Sequence, residues 1–274
     1  MENHEEQPFH GEPLLFETSP EPRPPAPRQV WTFRDLLLFV GFAFVAIVVS
    51  NFLTLALYAA LRPFAGWKLS TVQIAQNTYF LLAAQLVFYA LLFAYIYLWV
   101  VFYYRRPFLE GIEWGGLTGR RIVRYVFLGL IITVAIQFVP TVLPDKNHFP
   151  LERLFSSPGS SYAVAGFAVV IAPFMEELIF RGVFFAVFER RTNLQFAIVI
   201  TAVLFAAMHV PEYWGAWNHV LLIFLVGLAF SVARGLTKSL APSVVLHITY
   251  NGLLMLGLFF ATSHFRTMPN LPVR

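Results

Sequence analysis

Six residues of the stretch PFMEELIFRG place two carboxylates and a guanidinium, Glu176, Glu177 and Arg181, inside a run that is otherwise apolar. In lipid, each ionisable group at a helix centre opposes insertion by about 2.5–3.5 kcal/mol, so such groups are rare and need partners. Glu177 and Arg181 are spaced i,i+4 and share a helix face on which they can pair. Glu176 is rotated by about 100° from Glu177 and points elsewhere, so that pair leaves it without a partner. Pro173, three residues earlier, removes a backbone donor and predicts a bend. Two further polar sites interrupt apolar runs: His209 in FAAMH, and His247 with Asn251, again i,i+4, in LHITYN.

Three chemistries suit one acid, two imidazoles and an amide. A carboxylate and a His can activate water while the second His and the Asn stabilise an oxyanion. Glu and His can ligate zinc or a similar ion. Buried Glu and His can also relay protons in a transporter. No Ser or Thr stands out as a nucleophile, although Ser243 and Thr249 lie near. Glu177 with Arg181 reads equally well as a buried ion pair locking helices, and Asn251 as a polar contact between helices. His148, His219 and His264 are read as structural. The aromatic stripe Tyr89, Tyr95, Tyr97 and Trp99 is read as lipid-facing or interfacial.

The elements that must carry these groups are membrane helices. Of 274 residues, 58% are hydrophobic and 12% charged, with 30 Phe, and the mean hydropathy is +0.67. A soluble core of this size cannot hide that much apolar surface, which excludes an ordinary cytosolic enzyme and argues against a nucleic-acid binder. With no cysteine, thiolate nucleophiles and Cys-ligated metals are excluded. A spanning helix needs about 20 apolar residues. That measure predicts an all-α, polytopic transmembrane bundle of seven to eight spans. Seven candidates are Leu36–Leu61, Thr78–Tyr104, Tyr125–Leu143, Tyr162–Phe188, Leu194–Val210, Trp214–Ala233 and Leu240–Thr262. At about 1.5 Å per residue from the end carrying more basic charge, Glu176 lies about 20 Å deep, His209 about 22 Å, and His247 to Asn251 about 10–16 Å, so the three helices can bring these groups to a common depth in one wet cavity.

Residues 1–33, rich in Glu and Pro, read as a flexible tail too acidic for a cleaved signal. Residues 34–150 hold the first helices and an interfacial loop, Pro107–Gly119; 151–262 hold the polar motifs; 263–274 form a C-terminal tail. With the N-terminus cytoplasmic, twelve Lys and Arg fall inside and six outside, which favours that orientation in a cell membrane.

The ordered motifs EExxxR at Glu176, Glu177 and Arg181, FxxxH at Phe205 and His209, and HxxxN at His247 and Asn251 resemble the CPBP family of intramembrane glutamic proteases. That family includes the type II CAAX prenyl endopeptidases and the bacterial Abi proteins. Pro173, Phe180, Gly182 and the stretch SLAPSVVLH agree, and the resemblance covers roughly Leu151 to Leu258. It implies a glutamate-dependent endopeptidase with an intramembrane site open to the cytoplasm. Glu176 would be the general base, assisted by His209, and His247 with Asn251 the oxyanion site. Glu177, Arg181 and Phe205 would support them. The prenyl-protease branch is similar in having eight helices, against seven counted here. No cofactor is expected, with zinc the open alternative. The expected partners are membrane lipids and a peptide or lipidated-protein substrate. The rival reading is a non-catalytic scaffold or immunity protein of the same family, and a proton-coupled transporter ranks third.

Overall fold

The computed structural model describes residues 30–137 and 150–267. Most of the expected N-terminal tail, His148, and the last part of the third expected span (residues 138–143) lie outside them. Among the described residues the chain is helical, with no strand.

Helix α1, Phe33–Ala65, starts where Thr32 and Asp35 exchange side-chain-to-backbone hydrogen bonds and stops at Gly66, whose φ of 67° suits glycine. Of residues 30–33, Val30 and Trp31 are already buried. A short α2, Thr71–Ala75, precedes α3, Thr78–Tyr103, which ends in a π-helical turn. The loop that follows contains α4, Phe108–Gly111, and leads to α5, Gly119–Gln137. After a 3-10 turn at Pro150–Leu154, α6 runs unbroken as Pro158–Arg191. Then come α7, Leu194–Met208, α8, Trp217–Thr237, and α9, Ala241–Ala261.

Among the described residues five helices, α1, α3, α6, α8 and α9, are long and apolar enough to cross a membrane. Large apolar side chains on α1 face outward, with Phe44, Val48 and Phe52 each about 70% exposed, as lipid-facing positions require. The fifth expected span is only a 15-residue helix, about 22 Å long, too short to cross about 30 Å of hydrocarbon alone. The sixth starts at Trp217 rather than Trp214, because Gly215 (φ 91°) turns the chain first.

Helix α6 is the centre of the bundle. Its buried Met175, Leu178 and Val183 join one core with Phe39 of α1, Tyr89 and Ile96 of α3, and Val244 of α9. The pairs α1 with α3, α5 with α9 and α7 with α8 pack around it. Gly129 lets α5 approach α9, since a Cβ there would stand 2.9 Å from Thr249. The expected interfacial loop is tied to the start of α9, where the N–H groups of Leu240 and Ala241 donate to the carbonyls of Glu113 and Trp114 at 2.8 and 3.1 Å. Those bonds satisfy donors that a helix start leaves open.

Candidate active site

Two π-helical segments lie within α6 on either side of Glu176, at Phe167–Ile171 and Leu178–Phe184. Single π-bulges occur inside α-helices and often mark functional sites. The first has a legible cause. Ala172 N–H is taken by Phe167 O, and the residue five beyond Ala168 is Pro173, which has no N–H. The Ala168 carbonyl therefore lacks an intrahelical donor, and Asn251 Nδ2 supplies one at 2.7 Å. At the second bulge the Arg181 carbonyl accepts from Arg234 Nε at 3.1 Å. Side chains of α8 and α9 thus hold both irregular turns that flank Glu176.

Glu177 and Arg181 form the pair their spacing predicts, Nη1 to Oε1 at 2.9 Å, and both side chains are fully buried. Arg181 also donates to Gly227 O at 2.8 Å and to Ser231 Oγ at 3.3 Å, both on α8. Its guanidinium lies 4.6 Å from the centre of the Phe205 ring, a cation–π distance. Gly227 makes room for this, because a Cβ there would stand 3.0 Å from Phe205 Cδ1 and 3.4 Å from Arg181 Nη2.

Glu177 carries a second bond that spacing did not announce. His247 Nδ1 lies 2.9 Å from the same Oε1. A carboxylate only accepts, so Nδ1 carries the hydrogen and Nε2 is the outward nitrogen. That nitrogen faces Glu176, with 3.7 Å between Nε2 and Oε2. Glu176 keeps 17% of its side chain accessible while Glu177 keeps none. The adjacent acids are thus sorted, Glu177 into the scaffold and Glu176 towards open space.

The depth difference between Glu176 and His247 is absorbed by stagger. Leu240, at the start of α9, packs level with Gly182, so α6 overshoots α9 by more than two turns. His209 caps α7, and its Nδ1 lies 2.8 Å from Phe205 O. Since a carbonyl also only accepts, the free nitrogen of His209 is Nε2. Phe205 joins the two histidines, with ring centres 4.7 Å from His209 and 5.7 Å from His247. The short α7 has a positional consequence: ending after about 22 Å, it leaves His209 inside the bundle.

Two residues at the site escaped the sequence reading. Tyr89, read as lipid-facing or interfacial, is instead buried at 7% exposure, stacks on Phe167, and donates its hydroxyl to Glu176 Oε1 at 3.3 Å. The available signal was Gln85, a polar residue one turn earlier on the same face of an uncharged span. Glu212, in the loop after His209, is open at the surface on one side. Desolvation on its other side raises its carboxyl above the usual range, with His209 opposing and the charge of Glu176 adding to the rise. Among the described residues, no three His, Asp or Glu side chains converge as a ligand set for a metal.

Residues 158–253 match the family model described as Type II CAAX prenyl endopeptidase Rce1-like. Over 82 residues, 30% of this chain, the sequence is 29% identical to YdiL of Bacillus subtilis (strain 168), whose name assigns it provisionally as a membrane peptidase. The matched stretch is 32% of that protein, so the chain spans about a third of the relative's length. No solved structure matches the chain. The matched segment carries all three polar motifs, so the likeness to that family falls on the residues that build the site.

Proposed function

We propose that the protein is an intramembrane endopeptidase in which Glu176 activates water to hydrolyse a peptide bond of a membrane-associated protein or peptide. The observation that carries this reading is the relay Arg181–Glu177–His247, which holds an imidazole Nε2 against the accessible carboxylate of Glu176. An acid that orients a histidine, which in turn faces the reacting group, is a recurring catalytic arrangement.

In this reading Glu176 takes a proton from water as the oxygen attacks the scissile carbonyl carbon, and His209 Nε2 helps to hold that water. The carbonyl oxygen becomes an oxyanion. Protonated His247 donates to it from Nε2, and Asn251 donates the amide hydrogen that Ala168 does not use. The C–N bond then breaks, and the proton held by Glu176 passes to the departing amine. Donors already fixed by buried partners suit such stabilisation, because they need no reorganisation during reaction. The likeness to the Rce1-like model supports the substrate class of this reading, peptides or lipidated proteins reaching the site from the bilayer.

The N-terminus is assigned to the cytoplasm. Glu113 pairs with Arg190 and Arg234, and Lys238 with Glu189, so several basic clusters counted as internal gather at one end of the bundle.

The test is cleavage of quenched peptides, prenylated and unprenylated, by purified protein with and without a strong chelator, wild type beside Glu176→Gln. Loss of a general base costs about 10²–10⁴ in rate. The expected result is chelator-resistant cleavage that the substitution removes while the thermal transition stays in place. Full turnover by Glu176→Gln would overturn the glutamate mechanism, and zinc-restored cleavage after chelation would move Glu176, His209 and His247 to metal ligands.

A further inference from the structure

At the end of the bundle away from the Glu113 cluster, α1 and α3 diverge around a cavity of about 570 Å³. That volume lies within the range of about 300–1,000 Å³ typical of small-molecule sites. Leu57 and Leu61 of α1, Leu69 and Ile74 of the connection, and Phe80 and Ala83 of α3 line an apolar interior. The mouth is different. Gly66, at φ 67°, folds the chain back so that Trp67 stacks on Tyr58 at 5.4 Å and 10°, and Lys68 follows at the rim. Arg62 Nε donates to Trp67 O at 3.2 Å and fixes this turn. Stacked Trp and Tyr at a helix end suit the headgroup level of a bilayer.

The mouth of the cavity carries positive charge. Lys68 is exposed and forms no ion pair among the described residues, and the sequence has no Asp or Glu between Asp35 and Glu110. The positive charge of Arg62 and Lys68 is therefore uncompensated by this part of the chain.

We infer that this cavity binds an anionic membrane lipid, one acyl chain between α1 and α3 and the headgroup on Lys68. The site is separate from the Glu176 centre, and the inference does not depend on the proposed peptidase reaction. A basic residue beside an anionic headgroup raises binding about fivefold.

The test uses the full chain, released from nanodiscs holding equal amounts of phosphatidylglycerol and phosphatidylcholine with identical acyl chains, with retained lipid counted by native mass spectrometry. Wild type is expected to retain phosphatidylglycerol in preference. Lys68→Ala should cut that preference about fivefold, and Arg62→Ala added to it should abolish it. Ala83→Phe, which fills the cavity from the α3 side, should lower retention of both lipids together. Lys68 is exposed, so its substitution reads out even if Ala83→Phe fails to fold. Equal retention of the two lipids by wild type, or a preference that Lys68→Ala leaves unchanged, would overturn the inference.

Discussion

Asn251 Nδ2 donates to the carbonyl of Ala168, a carbonyl left open because the residue five positions on is Pro173. The two residues are therefore coupled through a backbone group that neither owns. Asn251→Ala leaves that carbonyl without a donor, which costs about 1–3 kcal/mol when such a group is buried. Pro173→Ala restores an N–H that can take the carbonyl, so Asn251→Ala should cost clearly less in that background. Thermal or denaturant unfolding of the four proteins in detergent gives the coupling energy. Strictly additive effects would show that Asn251 does not serve the bulge.

Tyr89 touches Glu176 through one hydroxyl and touches the core through its ring. Tyr89→Phe removes the first contact and keeps the second, including the stack on Phe167. A hydrogen bond to a charged group is worth about 1.5–3 kcal/mol, and at 3.3 Å the lower end applies. Turnover should therefore fall about tenfold with the melting temperature little changed. Unchanged turnover would reduce Tyr89 to packing.

The neighbouring glutamates should separate in a stability assay. Glu177→Ala strands Arg181 with no counter-charge and His247 with no acceptor in a fully buried site, and breaking a buried pair costs about 3–5 kcal/mol. Glu176→Ala removes a charge that makes no ion pair closer than 3.7 Å, so stability should hold or rise while cleavage stops. If the two variants lost stability equally, the assignment of one acid to the frame and the other to the chemistry would fail.

The i,i+4 spacings of Glu177 with Arg181 and of His247 with Asn251 made their shared faces legible in the sequence, because a helix fixes such neighbours locally. Hydropathy likewise disclosed five of the seven expected spans, but not that the fifth run folds as a helix too short to cross alone. Tyr89 was not legible, since its contact with Glu176 bridges 87 residues and depends on how α3 is rotated against α6. The bond from His247 to Glu177 was hidden for a related reason. Depth counted from helix ends already allowed His247 and Glu176 a common level, but which of the two adjacent acids the imidazole bonds depends on how α9 is rotated against α6. The bend expected at Pro173 takes the form of a π turn just before it, a choice made by the waiting amide of Asn251.

Two glycines near the site make opposite predictions. Gly182, which the motif comparison singled out, has room: a Cβ would meet Leu178 and Leu240 at 3.4 and 3.6 Å, ordinary contact distances. Gly227, which no motif marked, has none to spare, because a Cβ would press on Phe205 at 3.0 Å, with the guanidinium of Arg181 already in contact behind it at 3.4 Å. Phe205 is the ring between His209 and His247, so pressure there reaches both histidines. Gly182→Ala should be tolerated in folding and turnover, aided by the better helix propensity of Ala. Gly227→Ala should cost about 1–3 kcal/mol from overpacking and lower turnover by more than its loss of folded protein explains. The fraction of folded protein, measured by circular dichroism and size-exclusion chromatography in detergent, separates the two effects. The idea fails if Gly227→Ala cleaves at the wild-type rate per folded molecule, since Phe205 would then yield without moving either imidazole.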